Sequence, residues 1–329
     1  MSGPLLEIDR LCLELEGKGE EPVVLLRELT LAIGPGEVVG LVGESGAGTS
    51  SLLRAILGLT PAGARLRGEL RFRGEPVVQG SGLEALRGRH IGLVFQEPSA
   101  ALNPVLTIGA QIAEVLRAHR GPLSRRAARG RAVELLRRAG LPEAEERARS
   151  YPHQLSGGQC QRAMIAMALA GEPELLLADE PTSALDPTIQ ARILDLLLQC
   201  REELGLSILL VTHDLGVAAH ACDRIAVLYA GELVEEGPVV DLLGSPSHPY
   251  TRALLRSSPR LGEPAPRGGI PTIGGGVPDA GERPAGCAFH PRCPERFAIC
   301  DQRRPRLYRN EDGRPVRCFL YAADAEAGR

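Results

Sequence analysis

Residues 43–51 of this 329-residue chain read Gly-Glu-Ser-Gly-Ala-Gly-Thr-Ser-Ser, and this stretch decides the fold. The apolar run VVGLV precedes it at residues 38–42, and LLRAIL follows at residues 52–57. The pattern predicts a buried strand, a glycine-rich turn and a helix in that order. Glycines let backbone N–H groups converge on an anion, and the helix N-terminus adds a positive partial charge. The stretch therefore predicts a phosphate-binding loop.

Position 49 of this loop holds a threonine, where the G-x-x-x-x-G-K-[ST] motif has its lysine. The lysine ammonium would contact the β- and γ-phosphates, whereas Thr49 offers only an uncharged hydroxyl donor. A charge-assisted hydrogen bond is about twice as strong as a neutral one. We therefore expect ATP to bind weakly at this loop and its hydrolysis there to be badly impaired.

Two further apolar runs end in polar side chains that suit phosphoryl transfer. Residues 175–180 read LLLADE and predict a buried parallel strand that ends in Asp179 and Glu180. Asp179 suits the Mg²⁺ shell, and Glu180 suits a base that polarises the attacking water. Residues 207–212, SILLVT, predict another strand, with His213 at its carboxyl end. Open α/β sheets build their sites at such strand ends.

Residues 156–159 read Ser-Gly-Gly-Gln and open an apolar helix, which makes this the second predicted anion-binding helix start. A simple serine helix cap is the alternative interpretation. Together with the loop and the carboxylates, the segment resembles the nucleotide-binding subunit of ABC transporters. By that resemblance residues 43–51 are the Walker A loop, Gln96 is the Q-loop glutamine and residues 156–159 are the signature. Likewise, Asp179 and Glu180 form the Walker B motif, Asp186 closes the D-loop and His213 is the switch histidine.

The resemblance implies a role for each motif residue. Glu180, His213 and Gln96 would be catalytic, and Ser50, Gln96 and Asp179 would hold Mg²⁺. The nucleotide would be bound by Gly43, Glu44, Ser45, Gly46, Ala47, Gly48, Thr49, Ser50, Ser51, Ser156, Gly157, Gly158, Gln159 and Asp186.

Three segments narrow the resemblance to the oligopeptide/dipeptide and nickel importer branch. They are FQEP at residues 95–98 with ALNP at 101–104, GSPSHPYTRALL at residues 244–255, and GCAFHPRCP at residues 286–294. The resemblance implies an α/β P-loop NTPase of the ABC ATPase type, with an antiparallel β subdomain and a helical subdomain at about residues 100–170. An ABC domain would cover residues 1–245, and a short Cys-rich C-terminal extension would cover residues 246–329. The Pro- and Gly-rich stretch 259–286 reads as a linker or irregular crossing. An aromatic partner for adenine, expected from the resemblance, is missing between residues 5 and 33.

Four of the eight cysteines fall in the last 43 residues, among prolines and arginines. In a cytosolic tail this grouping favours metal over disulfides. The intervals of five, six and seventeen residues match neither the short zinc pattern nor the ferredoxin run. The resemblance implies a [4Fe–4S] cluster, with structural Zn²⁺ as the alternative. Its four ligands would be Cys287, Cys293, Cys300 and Cys318.

Composition excludes some classes of protein. The net charge is −3, so the chain lacks the basic surface of a nucleic-acid binder, and nucleic acid is not an expected partner. No apolar run approaches the roughly 20 residues that cross a bilayer. If the chain serves a membrane, it is expected to do so by docking to other chains.

The sequence thus predicts the ATP-binding subunit of an ABC importer for peptides, peripheral at the cytoplasmic face of the inner membrane. A second ABC ATP-binding subunit, as a heterodimer, and two transmembrane permease subunits are the expected partners, with an extracytoplasmic substrate-binding protein acting indirectly. Because Thr49 weakens the chain's own site, its signature would complete the partner's site. The alternatives are a soluble ABC-type nucleotide sensor or regulatory protein, a nickel importer subunit, and a pseudo-ATPase that only holds the complex together.

Overall fold

The structure is a computed structural model that describes residues 3–16, 22–183, 185–257 and 271–323. Its strands are β1 Leu6–Leu15, β2 Val23–Ile33, β3 Val38–Val42, β4 Arg65–Phe72, β5 Glu75–Pro76, β6 Ile91–Val94, β7 Leu175–Asp179, β8 Ser207–Thr212, β9 Arg224–Tyr229, β10 Glu232–Pro238, β11 Tyr308–Arg309 and β12 Pro315–Val316. Its α-helices are α1 Thr49–Ile56, α2 Ser81–Leu86, α3 Pro98–Ala101, α4 Ile108–His119, α5 Arg125–Arg138, α6 Ala144–Arg147, α7 Gly157–Leu169, α8 Pro187–Leu204, α9 Leu215–Ala221, α10 Val239–Gly244 and α11 Pro249–Ser257.

The chain folds into two compact units, each built from separate segments. The first, here called the helical unit, consists of Met1–Leu5, Ile33–Glu37 and Arg73–Val211. The second, here called the P-loop unit, consists of Leu6–Ala32, Val38–Phe72 and Thr212–Arg329. The alternation of strands and helices confirms the predicted α/β class.

In the helical unit, β6, β7 and β8 run parallel and in register. Val94 pairs with Ala178, and Asp179 pairs with Val211. Residues 175–178 of β7 are fully buried, as expected of a parallel strand covered on both faces. Because parallel strands end at the same edge of a sheet, the residues that follow β6 and β7 emerge side by side.

Helices α3 to α7 follow β6 and occupy the part of the helical unit predicted to be helical. In α5 the side chains of Ala128, Ala132 and Leu136 recur every fourth residue and are fully buried, so one face of the helix is apolar. This helix contacts both α4 and α7. Within the described ranges, no helix is long and apolar enough to cross a membrane.

The P-loop unit contains antiparallel strands, as predicted for the region before the loop. β1 pairs antiparallel with β4, and β2 lies beside β1. A second run of strands in this unit has the order β11-β12-β10-β9-β3. In it β3 and β9 are parallel, whereas β9 and β10 form an antiparallel hairpin.

The described residues of the predicted C-terminal extension fold as part of the P-loop unit. β12 pairs with β10 through Val316 and Glu235, and Phe289 packs edge-on against Tyr229 with ring centroids 5.2 Å apart. Residues 259–270 of the predicted linker lie outside the described residues. The buried Phe289 gives this C-terminal part a share of the unit's apolar core.

Candidate functional site

The predicted strand, turn and helix of the phosphate-binding loop are all present. β3 ends at Val42 and α1 begins at Thr49. Between them Gly46 and Gly48 have φ angles of +85° and +104°, which side-chain-bearing residues rarely adopt. A Cβ on Gly43 would lie 2.6 Å from the carbonyl oxygen of Leu228. These glycines allow the turn and its close approach to β9.

The loop is fixed by backbone hydrogen bonds. The N–H of Ala47 donates to the carbonyl of Glu44 at 2.9 Å, and the N–H of Gly231 donates to the carbonyl of Ala47 at 2.7 Å. Gly231 lies in the β9–β10 hairpin turn, where Ala230 also has a positive φ of 47°, as expected for a two-residue hairpin turn. The hairpin tip therefore holds one end of the phosphate-binding loop.

A pocket adjoins this loop on the P-loop unit. Thr49 is half-buried as the first residue of α1, and with Ser45 and Ser50 it lines the pocket. The helix N-terminus and three hydroxyl groups suit a phosphate oxygen. The residues present therefore fit the phosphates of a nucleotide, with a hydroxyl at the position of the lysine ammonium.

The structure brings together two of the predicted catalytic residues in the helical unit. The Nε2 of Gln96 donates a hydrogen bond of 3.0 Å to the Oε2 of Glu180. The contact follows from the pairing of β6 with β7, because Gln96 lies two residues beyond β6 and Glu180 directly follows β7. The glutamine thus orients the carboxylate, and Asp179, the residue before it, ends β7.

Glu180 has a left-handed backbone conformation, with a φ of 43°. Its N–H donates to the carbonyl of Val211 at 3.1 Å, and its own carbonyl accepts from the hydroxyl of Ser183 at 2.9 Å. Such a conformation costs a non-glycine residue about 1–2 kcal/mol. Backbone strain of this kind clusters at functional sites, where the surrounding contacts maintain it.

The signature residues form the capped start of α7. The hydroxyl of Ser156 accepts from the N–H of Gln159 at 3.4 Å, and the Oε1 of Gln159 accepts from the N–H of Ser156 at 3.0 Å. This reciprocal capping box is the structural role that the sequence left open. Ser156 and Gly157 are exposed, so the capped helix start remains accessible to a ligand.

Asp186 caps α8, and His213 precedes the cap of α9. The Oδ1 of Asp186 accepts from the N–H groups of Thr188 and Ile189 at 3.1 and 3.0 Å. His213 is exposed, and Asp214 caps α9 by accepting from the N–H of Gly216 at 2.7 Å. The structure therefore gives Asp186 a capping role in addition to its predicted one.

The four C-terminal cysteines are free thiols that line one small pocket, together with His248 and Phe289. Burial, with a smaller effect of the neighbouring thiols, raises the pKa values of Cys287 and Cys318 to about 12 each. Within the described part of the chain, no three His, Cys, Asp or Glu side chains are grouped to hold one metal ion. The predicted metal centre is thus not supported as a preformed site, although its four ligands converge on one pocket.

Sequence reasoning missed the contacts that the C-terminal part makes with the loop. The N–H of Glu44 donates to the hydroxyl of Tyr250 at 3.0 Å, and burial raises the pKa of that phenol. The guanidinium of Arg292 binds both carboxylate oxygens of Glu44, at 2.8 and 2.9 Å. Burial works against the charge of Arg292, but Glu44 and Tyr229 outweigh it and raise its pKa. Tyr250 and Arg292 lie in segments that the sequence identified only as features of the importer branch.

Comparison with known proteins identifies the family. Residues 26–183 match the family model described as ABC transporter, and residues 234–300 match the oligopeptide/dipeptide transporter C-terminal region. A Brucella abortus ATP-binding protein named for peptide import is 46% identical over 334 residues, which cover 97% of each chain. This chain belongs to the ABC transporter family of ATP-binding proteins. The resemblance drawn from the Walker A, Walker B and signature motifs is thereby confirmed.

A second relative is longer. The oligopeptide transport ATP-binding protein OppD of Mycobacterium tuberculosis is 44% identical over 306 residues, which are 92% of this chain and 50% of that protein. The chain thus spans about half the length of this mycobacterial relative.

Solved structures confirm the ABC ATPase fold. The chain resembles a dimeric bacterial ABC transporter cassette with a TM-score of 0.64 and 36% identity, over 71% of this chain and 98% of that one. It also resembles cbiO1 of Clostridium perfringens, part of the ABC transporter complex cbiONQ, with a TM-score of 0.62 and 28% identity. That match covers 74% of this chain and 92% of the other.

Proposed function

We propose that the chain is the ATP-binding subunit of an ABC importer for peptides. The hydrogen bond between Gln96 and Glu180 carries the ATPase part of this proposal, because it orients a carboxylate at the end of a parallel strand. The C-terminal match at residues 234–300 and the relatives named for peptide transport favour peptides over nickel.

Each site residue has a task in this proposal. Bound Mg·ATP supplies the phosphoryl group and the charge that Mg²⁺ neutralises. In the P-loop unit the Walker A backbone and Ser50 would hold phosphate and metal, and in the helical unit Asp179 and Gln96 would be the metal ligands. Glu180 accepts the proton of the attacking water, and His213 stabilises the charge that develops on the phosphate.

We further propose that the chain works as one half of an asymmetric pair. Thr49 removes the ammonium from the chain's own loop, whereas Ser156 and Gly157 remain exposed at the start of α7. The signature would therefore complete an ATP site on a partner whose loop carries a lysine. The same proposal includes the partner subunit and two transmembrane permease subunits, with this chain peripheral at the cytoplasmic face of the inner membrane.

Co-expression with candidate permease and ATP-binding subunits tests the assembly. Co-purification with both, and hydrolysis that stops when the partner's Walker A lysine is replaced, would support the asymmetric importer. Undiminished hydrolysis after that replacement would contradict the asymmetry. A chain that never co-purifies with permeases would instead favour a soluble nucleotide sensor.

For the cysteine pocket we propose a [4Fe–4S] cluster. In such a cluster each thiolate binds a different iron, so the four sulfurs need not surround one point as they must around zinc. Four partly buried thiols that line one pocket support this arrangement, and the positive charge of the iron–sulfide core would offset the unfavourable charge of the thiolates there.

Anaerobic purification followed by iron, sulfide and zinc analysis tests the metal proposal. About four irons per chain and a visible charge-transfer band are expected. Replacing Cys318 by serine should lower the iron content, whereas replacing Cys200 in α8 should not. One zinc per chain would establish the alternative metal, and the absence of both metals would contradict a metal site.

A further inference from the structure

The pocket beside the Walker A loop has a second wall that comes from the C-terminal part of the chain. Its lining includes Ser45, Thr49 and Ser50 of the loop and α1, and it also includes residues 277–280 and Arg283. The Cβ of Val277 lies 3.8 Å from the point that a Cβ of Gly46 would occupy. Since the loop would bind the phosphates of a nucleotide, this second wall borders the same pocket.

This C-terminal wall is anchored on the P-loop unit by Arg283. The Nη2 of Arg283 donates to the carbonyl of Val24 at 3.2 Å and also to the carbonyl of Ala230. Ala230 belongs to the hairpin tip that bonds to the Walker A loop. The wall and the loop are therefore tied to the same short stretch of backbone.

Arg292 links the wall directly to the loop. Its Nη1 and Nη2 bind the two carboxylate oxygens of Glu44 at 2.8 and 2.9 Å, and its Nε donates to the carbonyl of Gly274 at 2.8 Å. Gly274 lies three residues before the wall begins. The same guanidinium thus holds a Walker A residue and the backbone that leads into the wall.

The surroundings of Arg292 make these contacts strong. The Arg292 side chain is 7% exposed and that of Glu44 is 28% exposed. The Nη1 of Arg292 also donates to the hydroxyl of Tyr229 at 3.3 Å. A bidentate, largely buried pair of this kind is geometrically specific and poorly screened by solvent.

We propose that the C-terminal part of the chain is a component of the nucleotide site. In this proposal residues 277–283 form the wall that receives the nucleoside end, and Arg292 acts through Glu44 as a positioning residue for the Walker A loop. The inference rests on the proposed nucleotide binding and adds to it residues outside the ABC motifs. A purely structural C-terminal part would stabilise the fold without changing nucleotide affinity.

Equilibrium titration of the full-length chain with Mg·ATP tests the proposal, with and without Thr49→Lys so that a weak site does not hide the effect. Arg292→Met and Glu44→Gln should each weaken binding by about tenfold. Because the two residues act through one contact, the double variant should bind no more weakly than either single one. Arg292→Lys, which keeps the charge but loses the bidentate geometry, should fall between Arg292→Met and the parent.

Arg252→Met is the matched control. It removes an arginine from the same part of the chain, whose side chain pairs with Glu295 at 3.1 Å and donates to the carbonyl of Ser247 at 3.2 Å. Arg252→Met should bind Mg·ATP like the parent. The melting temperatures without nucleotide show whether each variant is folded. If Arg292→Met does not fold, Arg292→Lys takes its place in the binding test.

The possible outcomes separate this proposal from the one on which it rests. Unchanged affinity in Arg292→Met, or effects of Arg292→Met and Glu44→Gln that multiply in the double variant, would overturn the role of Arg292. Equal weakening by Arg252→Met would show a general stability effect and overturn it as well. A chain that binds no Mg·ATP in either background would overturn the proposed nucleotide function and this inference with it.

Discussion

The Walker A loop of the P-loop unit and the pair of Gln96 and Glu180 in the helical unit differ in what they retain of the family's motifs. In the P-loop unit the backbone cradle is complete, with left-handed glycines and a helix N-terminus, but Thr49 has replaced the charged side chain. In the helical unit two of the predicted catalytic side chains meet, and the Nε2 of Gln96 donates a hydrogen bond of 3.0 Å to Glu180. The difference shows that the fold of an anion-binding loop does not depend on the charge that makes it reactive.

The largest expected effect comes from the helical unit. Glu180→Gln should lower the rate of phosphate release by about 100-fold or more, because it removes a general base. The measurement uses a Thr49→Lys background, so that nucleotide binding does not limit the rate, and ATP affinity should stay the same.

Glu97→Gln provides the control, since it removes a carboxylate directly beside Gln96 from an exposed position. Its phosphate release should match that of the Thr49→Lys parent. If Glu180→Gln also kept the parent rate, the helical unit would not hold the catalytic base, and the comparison between the two units would fail.

The stabilities of the two units should also respond differently to acid. His248 of the P-loop unit is buried, and desolvation lowers its pKa from 6.5 to about 3. Between pH 6.5 and pH 3, His248 binds a proton in the unfolded chain but not in the folded chain. The free energy of unfolding therefore falls as the pH drops through this range. Between pH 7 and pH 5 the loss is about 2 kcal/mol.

In the helical unit the corresponding group is Glu174. Burial opposes its ionisation, but hydrogen bonds from Arg73 and His90 outweigh burial and lower its pKa below 4.5. Its contribution to stability is therefore lost only on acidification below that value. Amide exchange at pH 7 and pH 5 should show the P-loop unit weakening first, and His248→Asn should reduce this difference. Equal weakening of both units in the parent chain would contradict the assignment of this acid sensitivity to His248.

The sequence predicted the elements that carry local patterns. The glycine spacing of residues 43–48 predicts the turn, and the apolar run before Glu180 predicts strand β7, whereas Gln96 was predicted from the family resemblance alone. It could not predict the contact between Arg292 and Glu44, because 248 positions separate the two residues and no periodic pattern connects them. The same holds for the wall at residues 277–283, which reads as an irregular Pro- and Gly-rich stretch. The serine cap at Ser156 was an alternative interpretation of the sequence, whereas the capping role of Asp186 comes from the structure alone.

Introducing a lysine at position 49 tests whether the missing charge limits ATP binding in the P-loop unit. Thr49→Lys should tighten Mg·ATP binding by about tenfold, since it converts a neutral contact into a charge-assisted one. Thr49→Ser keeps only the hydroxyl and should bind like the parent. Equal affinities of the parent and Thr49→Lys would mean that position 49 does not limit the site, and the chain would then be an ordinary ATPase subunit.

The smallest effect separates capping from function at the signature. Ser156→Ala removes the cap of α7, and Ser124→Ala removes the equivalent cap of α5, where the serine hydroxyl accepts from Ala127 at 3.2 Å. Each should lower the free energy of unfolding by about 1 kcal/mol, measured by urea denaturation.

If the signature serves a partner's nucleotide, only Ser156→Ala should also slow ATP hydrolysis by the assembled complex, because Ser124 lies at a helix start without the Gly-Gly-Gln that follows Ser156. Equal hydrolysis in the two variants would reduce residues 156–159 to a helix cap. The helical unit would then retain its catalytic base while losing its proposed contact with a partner's nucleotide.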